Sequence, residues 1–536
     1  MKAQINKNNS NSFEDQGSSL REGFRMGSRP TMLSQLDENK TWDILIIGGG
    51  ATGLGAAVDA ASRGFSTILI EANDFASGTS SRSTKLVHGG VRYLEQGNLK
   101  LVREALKERG RLLQNAPQVT HKLGFIIPAF SLMQKLYYGI GLKFYDTLSG
   151  KLSLGTPKFL NRKKTAQLLP GINQKKITGG IVYYDGQFDD ARLAINLATT
   201  AAQHGAVLLN YCEAQSLLKN KTKQTDKQEK VCGVIACDYI NDKTFEIKSK
   251  TVINATGVFA DDILQMDNEH TEEIITPSQG IHLVIDKKFY PGNYAMVIPK
   301  TDDKRVLFAV PWHNKVVLGT TDTEVEDISD EPIPLQQEID FILSHANRYF
   351  NTNITKNDVT SMFAGLRPLV KTKGVTNTSL LSRDHIIIVS LSNLITITGG
   401  KWTTYRKMAE DAVNNAIFVA KFDYKHCVTK TLQIATSKFD NIHYDEPLEK
   451  IYSSQNIRNF IENEMAISLE DVLARRTRLL FLDVKAALIA ASIVAKEMAA
   501  ILNKDEEWIQ MEIDNFYTAC KKLFAIMRFK FHSLKV

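Results

Sequence analysis

Residues 42–71, WDILIIGGGATGLGAAVDAASRGFSTILIE, constrain the fold more than any other stretch of this chain. Residues 43–47 are a short apolar run, rich in Ile and Leu, that suits a strand buried on both faces. Gly48, Gly50 and Gly53 then supply G-x-G-x-x-G. Glycine serves there for a tight turn, for close approach of a pyrophosphate to bare backbone, and for tight helix–strand packing. Residues 51–63 read as a helix of small residues that Gly64 ends, and residues 65–70 as a second strand closed by Glu71. A carboxylate about 20 residues beyond the glycines stands where it accepts hydrogen bonds from a ribose. A lone G-x-G-x-x-G matches small loops by chance, but here strand, helix, second strand and acidic end follow in order. The stretch is a dinucleotide site.

A chain of 536 residues is long enough for roughly two to four domains with sizeable cores. Its 43% hydrophobic and 23% charged content is that of an ordinary globular protein. The formal charge of +7 suits an anionic substrate or a membrane surface and is too weak and dispersed for nucleic acid. Cys212, Cys232, Cys237, Cys427 and Cys520 are odd in number and form no C-x-x-C. They point to a reduced, cytoplasmic setting with neither a metal site nor a disulfide framework. The first residues carry no apolar signal region, so secretion is not expected. The longest apolar stretch, 486–501, is interrupted by Lys496 and Glu497 and reads as a buried helix rather than a membrane span.

Residues 1–39 are polar and read as a flexible tail. Residues 99–113 show helical spacing. Residues 123–150 are aromatic-rich, with Lys135 and Lys143 among the tyrosines, and read either as a core-packed helix pair or as a membrane-touching segment. Residues 192–204 form a helix, and 219–230 a surface hairpin tip between strands. The strand 245–253 ends in small residues that let backbone approach a ligand. Four short strands between 281 and 320 predict a separate, largely antiparallel sheet that caps the nucleotide domain. Strands at 386–390 and 394–398 lead through Gly399 and Gly400 into a helix over 405–419. From about 430 the pattern is helical, and Ser468 with Asp471 resembles a capping box. The segment 521–535 mixes Lys and Arg with Phe, Ile and Met, which suits either a membrane surface or a packed terminal helix.

Longer motifs stand downstream: FASGTSSRSTKLVHGGVRYLE at 75–95, GLRP at 365–368, SRD at 382–384, GGKWTTYR at 399–406 and VLARRTR at 472–478. With the glycine fingerprint, they resemble the FAD-dependent glycerol-3-phosphate dehydrogenases over about 29–480. The resemblance implies an α/β fold: a Rossmann-like FAD-binding domain of the D-amino-acid-oxidase type, an antiparallel-sheet substrate cap and a C-terminal helical domain. The oxidoreductase part is expected over 40–425. Its FAD-binding segments lie near 40–120, 178–275 and 370–425, its cap near 121–177 and 276–369, and the helical domain at 430–536. The implied reaction is oxidation of sn-glycerol 3-phosphate to dihydroxyacetone phosphate, with electrons passed to membrane quinone by a peripheral protein on the inner face of the cytoplasmic membrane. A homodimer is compatible with it. A related oxidase branch passes electrons to oxygen and usually carries an insertion in the cap, and no long insertion stands here. The other readings are another member of the amine and hydroxyacid flavoenzymes, or a non-catalytic flavin-binding scaffold or sensor.

Hydride transfer from a secondary alcohol needs a flavin against the carbon, a base for the hydroxyl proton and a fixed anionic end. Gly48, Gly50 and Gly53 with the helix behind them suit the pyrophosphate, and Glu71 the adenosine ribose. By family likeness Ser80, Ser81 and Ser83 contact phosphate and flavin, and His88 lies near the flavin. Gly399 and Gly400 precede a helix whose positive end faces the flavin, an effect of roughly 0.3–1 kcal/mol, up to about 2 when partly buried. Arginine suits the substrate phosphate because its planar fork binds two oxygens at once. The resemblance places Arg92, Arg367 and Arg383 there, with Tyr93 lining the pocket. His282 is the expected base, as the family's active-site histidine, and Lys401 polarises the substrate oxygen or stabilises reduced flavin. The choice of base between His282 and a neighbouring arginine stays open.

Overall fold

The computed structural model describes residues 26–36, 39–91, 94, 97–175, 177–221, 229–299, 301–303, 305–371, 384–442 and 444–525. The first apolar run is strand β1 (Thr41–Ile47), buried over 44–47. The helix Ala51–Ser62 follows, with Gly50 as its N-cap, and returns the chain to β2 (Thr67–Ile70), parallel to β1. Two glycines make this possible. Gly48 has φ +107°, in the region L side chains avoid. A β-carbon on Gly53 would stand 1.8 Å from the Gly48 carbonyl oxygen.

The next strands are β3 (Leu86–Val87), β4 (Thr120–Ala129), β5 (Lys158–Asn161), β6 (Gly179–Phe188), β7 (Val207–Leu209) and β8 (Cys212–Asn220). Then come β9 (Lys230–Asp238), β10 (Lys243–Asn254), β11 (Ile275–Asp286), β12 (Ala295–Ile298), β13 (Leu307–Trp312) and β14 (Lys315–Gly319). The last are β15 (Thr323–Glu324), β16 (Val359–Val370), β17 (His385–Val389) and β18 (Ile395–Gly399).

They build two sheets. The first has eight strands in the order β17-β18-β10-β1-β2-β7, with β9 on β10 and β8 on β9. Within it β18, β10, β1, β2 and β7 run parallel. The helix Ala51–Ser62 packs between the helices Asp190–Gln203 and Tyr405–Val419, which gives the apolar parallel strands the cover they need. The second sheet has ten strands, in the order β15-β11-β14-β13-β12-β4-β6-β3, with β16 on β11 and β5 on β6. The antiparallel sheet expected over 281–320 is therefore present as β11, β12, β13 and β14, and the one parallel pairing described in it is β12 with β4.

The region 123–150 is not a helix pair. Its first part is β4, whose LGFIIPA run is buried along one sheet edge to edge with β6 and β12. Its second part is the helix Leu132–Ser149, capped by Ser131, which accepts a hydrogen bond from the Gln134 amide at 3.2 Å. The helix buries Gly139, Leu142 and Tyr145 and turns Leu132, Met133, Leu136, Tyr137, Ile140 and Phe144 outward, so apolar content alone was a poor guide to its packing.

In the C-terminal region the helix Val484–Leu502 is buried along much of its length, as its composition suggests. Ser468 and Asp471 form the reciprocal capping box: the Asp471 amide donates to Ser468 Oγ and the Ser468 amide to Asp471 Oδ2. The last helix, Glu506–Phe524, ends on a buried Phe524, and residues 526–536 lie outside the described residues. Gly53→Ala is expected to destabilise by more than the ~1–3 kcal/mol of ordinary overpacking, because the clash is with backbone. The measure is the denaturation midpoint, and a variant that melts with the parent contradicts the packing argument.

Candidate active site

A cavity of about 640 Å³ lies at the carboxyl ends of the parallel strands: Ile47 and Ile70 end β1 and β2 against it, Ala255 directly follows β10, and Ile397 lies on β18. Gly48, Gly50, Glu71, Ser80, Gly399, Gly400 and Lys401 all line it. Glu71 follows β2 and Gly399 ends β18. These strands flank β1 and β10, so the cavity crosses three strand spacings, roughly 14 Å. That length, with a helix N-terminus at its middle, fits a dinucleotide and exceeds what one nucleotide half needs.

Each part of the wall has a local cause. Ser80 Oγ accepts a hydrogen bond from the Ala51 amide at 2.9 Å and so sits at the head of the first helix. The Glu71 carboxylate accepts from the Gly49 amide at 2.5 Å and the Asn73 amide at 2.9 Å. Burial pushes the Glu71 carboxyl up, against those two bonds. At the far end Gly399 and Gly400 both have positive φ, +82° and +71°, and a β-carbon on Gly400 would stand 2.4 Å from Met408 Sδ. This double turn leads into the short helical turn Trp402–Thr404, where Trp402 Nε1 donates to the Ser80 carbonyl at 2.8 Å.

His282 and Arg367 stand on a different surface, the face of the second sheet. Arg367 on β16 pairs in register with Ser278 on β11, Gly365 with Gly280, and Phe363 with His282. Residues 278, 280 and 282 alternate onto one face. A β-carbon on Gly280 would lie 2.2 Å from Arg367 Nη2, so the guanidinium lies across that glycine, towards His282. Arg367 donates to Thr320 Oγ1 and to the Thr321 carbonyl, both at 3.0 Å, and lies 3.4 Å from Asp322. The His282 ring stacks on Phe363 with centroids 4.9 Å apart, and its Nε2 is 2.8 Å from Thr84 Oγ1. Its buried Nδ1 has no hydrogen bond among the described residues. Burial, then the Arg367 and Lys85 cations, hold the His282 pKa well below the ordinary value.

One segment, 79–88, ties the cavity to this face. Thr79 Oγ1 donates to the Leu366 carbonyl at 2.5 Å, Ser80 reaches the helix, Thr84 reaches His282, and the His88 amide donates to Thr403 Oγ1 at 3.2 Å. Ser81 and Ser83 do not line the cavity. The Ser81 carbonyl accepts from Lys85 Nζ at 2.6 Å, and Ser83 Oγ donates to Asp190 at 2.7 Å. Lys85 is fully buried and paired with Asp190 at 2.7 Å. Neither Thr84, Lys85 nor Asp190 was singled out from the sequence, although Thr84 and Lys85 stand inside the STKL run. A buried lysine has no local pattern, and its partner is 105 residues away. Arg92, Tyr93 and Arg383 lie outside the described residues.

Residues 43–406 match the family model described as FAD dependent oxidoreductase. Residues 427–509 match the C-terminal domain of alpha-glycerophosphate oxidase. The mitochondrial glycerol-3-phosphate dehydrogenase of Bos taurus is 37% identical over 560 residues, which cover 94% of this chain and 76% of that protein. The X-ray structure of the glycerol-3-phosphate dehydrogenase from Bacillus halodurans complexed with FAD is similar at a TM-score of 0.74 and 29% identity, covering 93% of this chain and 98% of its own. The L-alpha-glycerophosphate oxidase from Mycoplasma pneumoniae with FAD bound shares the fold at a TM-score of 0.56 and 19% identity, over 74% of this chain and 100% of its own. Two-sheet fold and strand-end cavity together define an FAD-dependent oxidoreductase, with FAD as the cofactor. Within that class the chain belongs to the glycerol-3-phosphate dehydrogenase family.

Lys85→Met leaves the Asp190 carboxylate buried without its cation, and is expected to cost about 3–5 kcal/mol of stability. Denaturant unfolding measures it. A loss under about 1 kcal/mol, the size of a surface pair, contradicts the anchoring role given to Lys85.

Proposed function

We propose that the protein oxidises sn-glycerol 3-phosphate to dihydroxyacetone phosphate and passes the electrons to quinone at a membrane surface. The observation that carries the chemical part is Arg367 and His282 on one sheet face, with Arg367 next to Pro368 of the cavity wall. FAD supplies the two-electron acceptor that side chains lack. Gly48, Gly50 and Ser80, at the head of the helix Ala51–Ser62, hold its pyrophosphate, with Gly53 packing that helix against the Gly48 carbonyl, and Glu71 holds its ribose. Gly399 and Gly400 lead to the helical end that favours added negative charge. Arg367 fixes the substrate phosphate, and the family resemblance adds Arg92 and Arg383 to that role and Tyr93 to the pocket. Lys401, on the cavity wall, polarises the substrate oxygen, and the His88 backbone holds the turn that follows it through Thr403.

His282 accepts the hydroxyl proton. Its neutral form is favoured by burial and by the Arg367 and Lys85 cations. The substrate phosphate brings up to about two negative charges, which offset Arg367 and raise the proton affinity of His282 in the complex. Nε2 engages Thr84, which leaves Nδ1 as the nitrogen for the proton.

The membrane part rests on the helix Leu132–Ser149. Leu132 and Met133 are 76% and 77% exposed, and Leu136, Tyr137, Ile140 and Phe144 are exposed beside them. Lys135 and Lys143 each stand 5.9 Å from the ring of Phe159, itself exposed. Apolar side chains with lysines at their margin suit the surface of an anionic bilayer, on the inner face of the cytoplasmic membrane. Among the described residues no helix is long and apolar enough to cross a membrane. A second reading, with oxygen as acceptor, is favoured by the oxidase C-terminal model matched at 427–509, and peroxide yield per substrate oxidised separates the two.

The acid limb of kcat/KM, which reports the free enzyme, is expected below the ordinary histidine value of about 6.5, and that of kcat, which reports the complex, above it in order. Arg367→Ala removes a cation, so it moves the kcat/KM limb upward while lowering kcat/KM at least about tenfold. Kinetics like the parent's remove Arg367 from the site. Paired Leu136→Ser and Ile140→Ser changes are expected to abolish flotation with anionic vesicles while leaving turnover with a soluble dye acceptor. Unchanged flotation removes this helix as the docking surface.

A further inference from the structure

The C-terminal helical domain reaches the cofactor cavity through one buried carboxylate. Asp74 lies in the loop that follows Glu71, is 1% exposed, and points away from the cavity into the C-terminal domain. There a π-helical turn, Asp471–Arg476, presents two consecutive arginines. The Arg476 fork holds both Asp74 oxygens, Nη2 at 2.9 Å from Oδ1 and Nη1 on Oδ2, and Arg475 Nε binds Oδ2 as well. Burial disfavours the charged form of Asp74, yet the two arginines hold its carboxyl below the usual range.

The same turn grips a second wall of the cavity. Tyr211 lines the cavity, and its hydroxyl donates to Asp471 Oδ1 at 2.7 Å. Its neighbour Asn210 donates to the Met465 carbonyl at 2.9 Å. The two walls are stitched together by backbone: the Tyr211 amide donates to the Asn73 carbonyl at 2.9 Å and the Cys212 amide to the Glu71 carbonyl at 2.8 Å. Asn73 in turn donates its amide to the Glu71 carboxylate at 2.9 Å. The chain of contacts from Arg476 to the Glu71 carboxylate thus runs through the buried Asp74 and Asp471 and one short, half-buried loop, with no exposed side chain in it.

We propose that Arg475 and Arg476 are positioning residues for FAD: through Asp74 and Tyr211 they hold the loop 71–77 in the shape that presents Glu71, so the C-terminal domain sets how tightly FAD is retained. The domain is then part of the cofactor site rather than an appendage to it. A purely structural role predicts something else, and a buried pair that touches neither the cavity nor this network tells the two apart. Arg63, at the end of the helix Ala51–Ser62, is buried against Asp59 and donates to Asn414 Oδ1 at 2.7 Å, and it serves as the control.

The test is FAD release from the holoenzyme after dilution, followed by the rise of free-flavin fluorescence, with the thermal midpoint measured beside it. Arg476→Lys keeps the charge and loses the fork, and is expected to release FAD at least about tenfold faster. Arg63→Lys is expected to lower the midpoint by a similar amount while releasing FAD within about twofold of the parent. Should Arg476→Lys fail to fold, Tyr211→Phe removes a single hydroxyl from the same link and is expected to release FAD about three times faster. Release at the parent rate in Arg476→Lys or Tyr211→Phe, or equal acceleration in the Arg63 control at matched midpoint, overturns the proposal.

Discussion

The buried pair of Lys85 and Asp190 is the interaction on which the site's geometry depends. It pins the segment 79–88 between the two sheets, and that segment carries Ser80 to the head of the first helix and Thr84 to the ring of His282. A buried ion pair adds little net stability compared with apolar side chains of the same shape, since desolvation consumes most of the Coulomb gain. Its effect here is positional. Three aromatic rings, Trp312, Phe363 and Phe481, stand 4.9–5.3 Å from the ammonium and exclude water from the pair. Phe363 also stacks on His282, so one packing arrangement fixes both the anchor and the proposed base.

The two sheets divide the labour. The parallel sheet offers its strand ends, where small residues and a helix N-terminus leave backbone accessible to a dinucleotide. The antiparallel sheet offers a flat face on which Gly280 leaves room for the Arg367 guanidinium and Gly365 for the Arg82 backbone. Cations concentrate on this second surface, where an anionic substrate compensates them. On the proposed reading, the same cations keep His282 neutral until a bound phosphate offsets them, which would couple binding of the phosphate to competence of the base.

Much of this was legible in local pattern. The G-x-G-x-x-G stretch, its acidic end and the Gly399–Gly400 turn depend on neighbours within a few residues, and each lies where its pattern indicated. So do the short strands over 281–320 and the capping box at Ser468 and Asp471. What local pattern did not carry were contacts across long sequence distances: Lys85 with Asp190, Thr84 with His282, and Asp74 with Arg475 and Arg476. The VLARRTR motif was visible as a family segment, but its arginines have a meaning only when the loop after β2 is folded against them. The region 123–150 misled for a related reason. Apolar aromatic content distinguishes neither strand from helix nor an inward face from an outward one, and the helix Leu132–Ser149 turns much of that content outward.

The central claim is that this flavin cavity and this arginine–histidine face act together on glycerol 3-phosphate. Anaerobic titration of the yellow holoenzyme with glycerol 3-phosphate, and separately with glycerol, tests it most directly. Bleaching of the flavin band by glycerol 3-phosphate at stoichiometric amounts, with no bleaching by glycerol, is the predicted result. An unbleached flavin in the presence of excess glycerol 3-phosphate, with FAD still bound, would contradict the account.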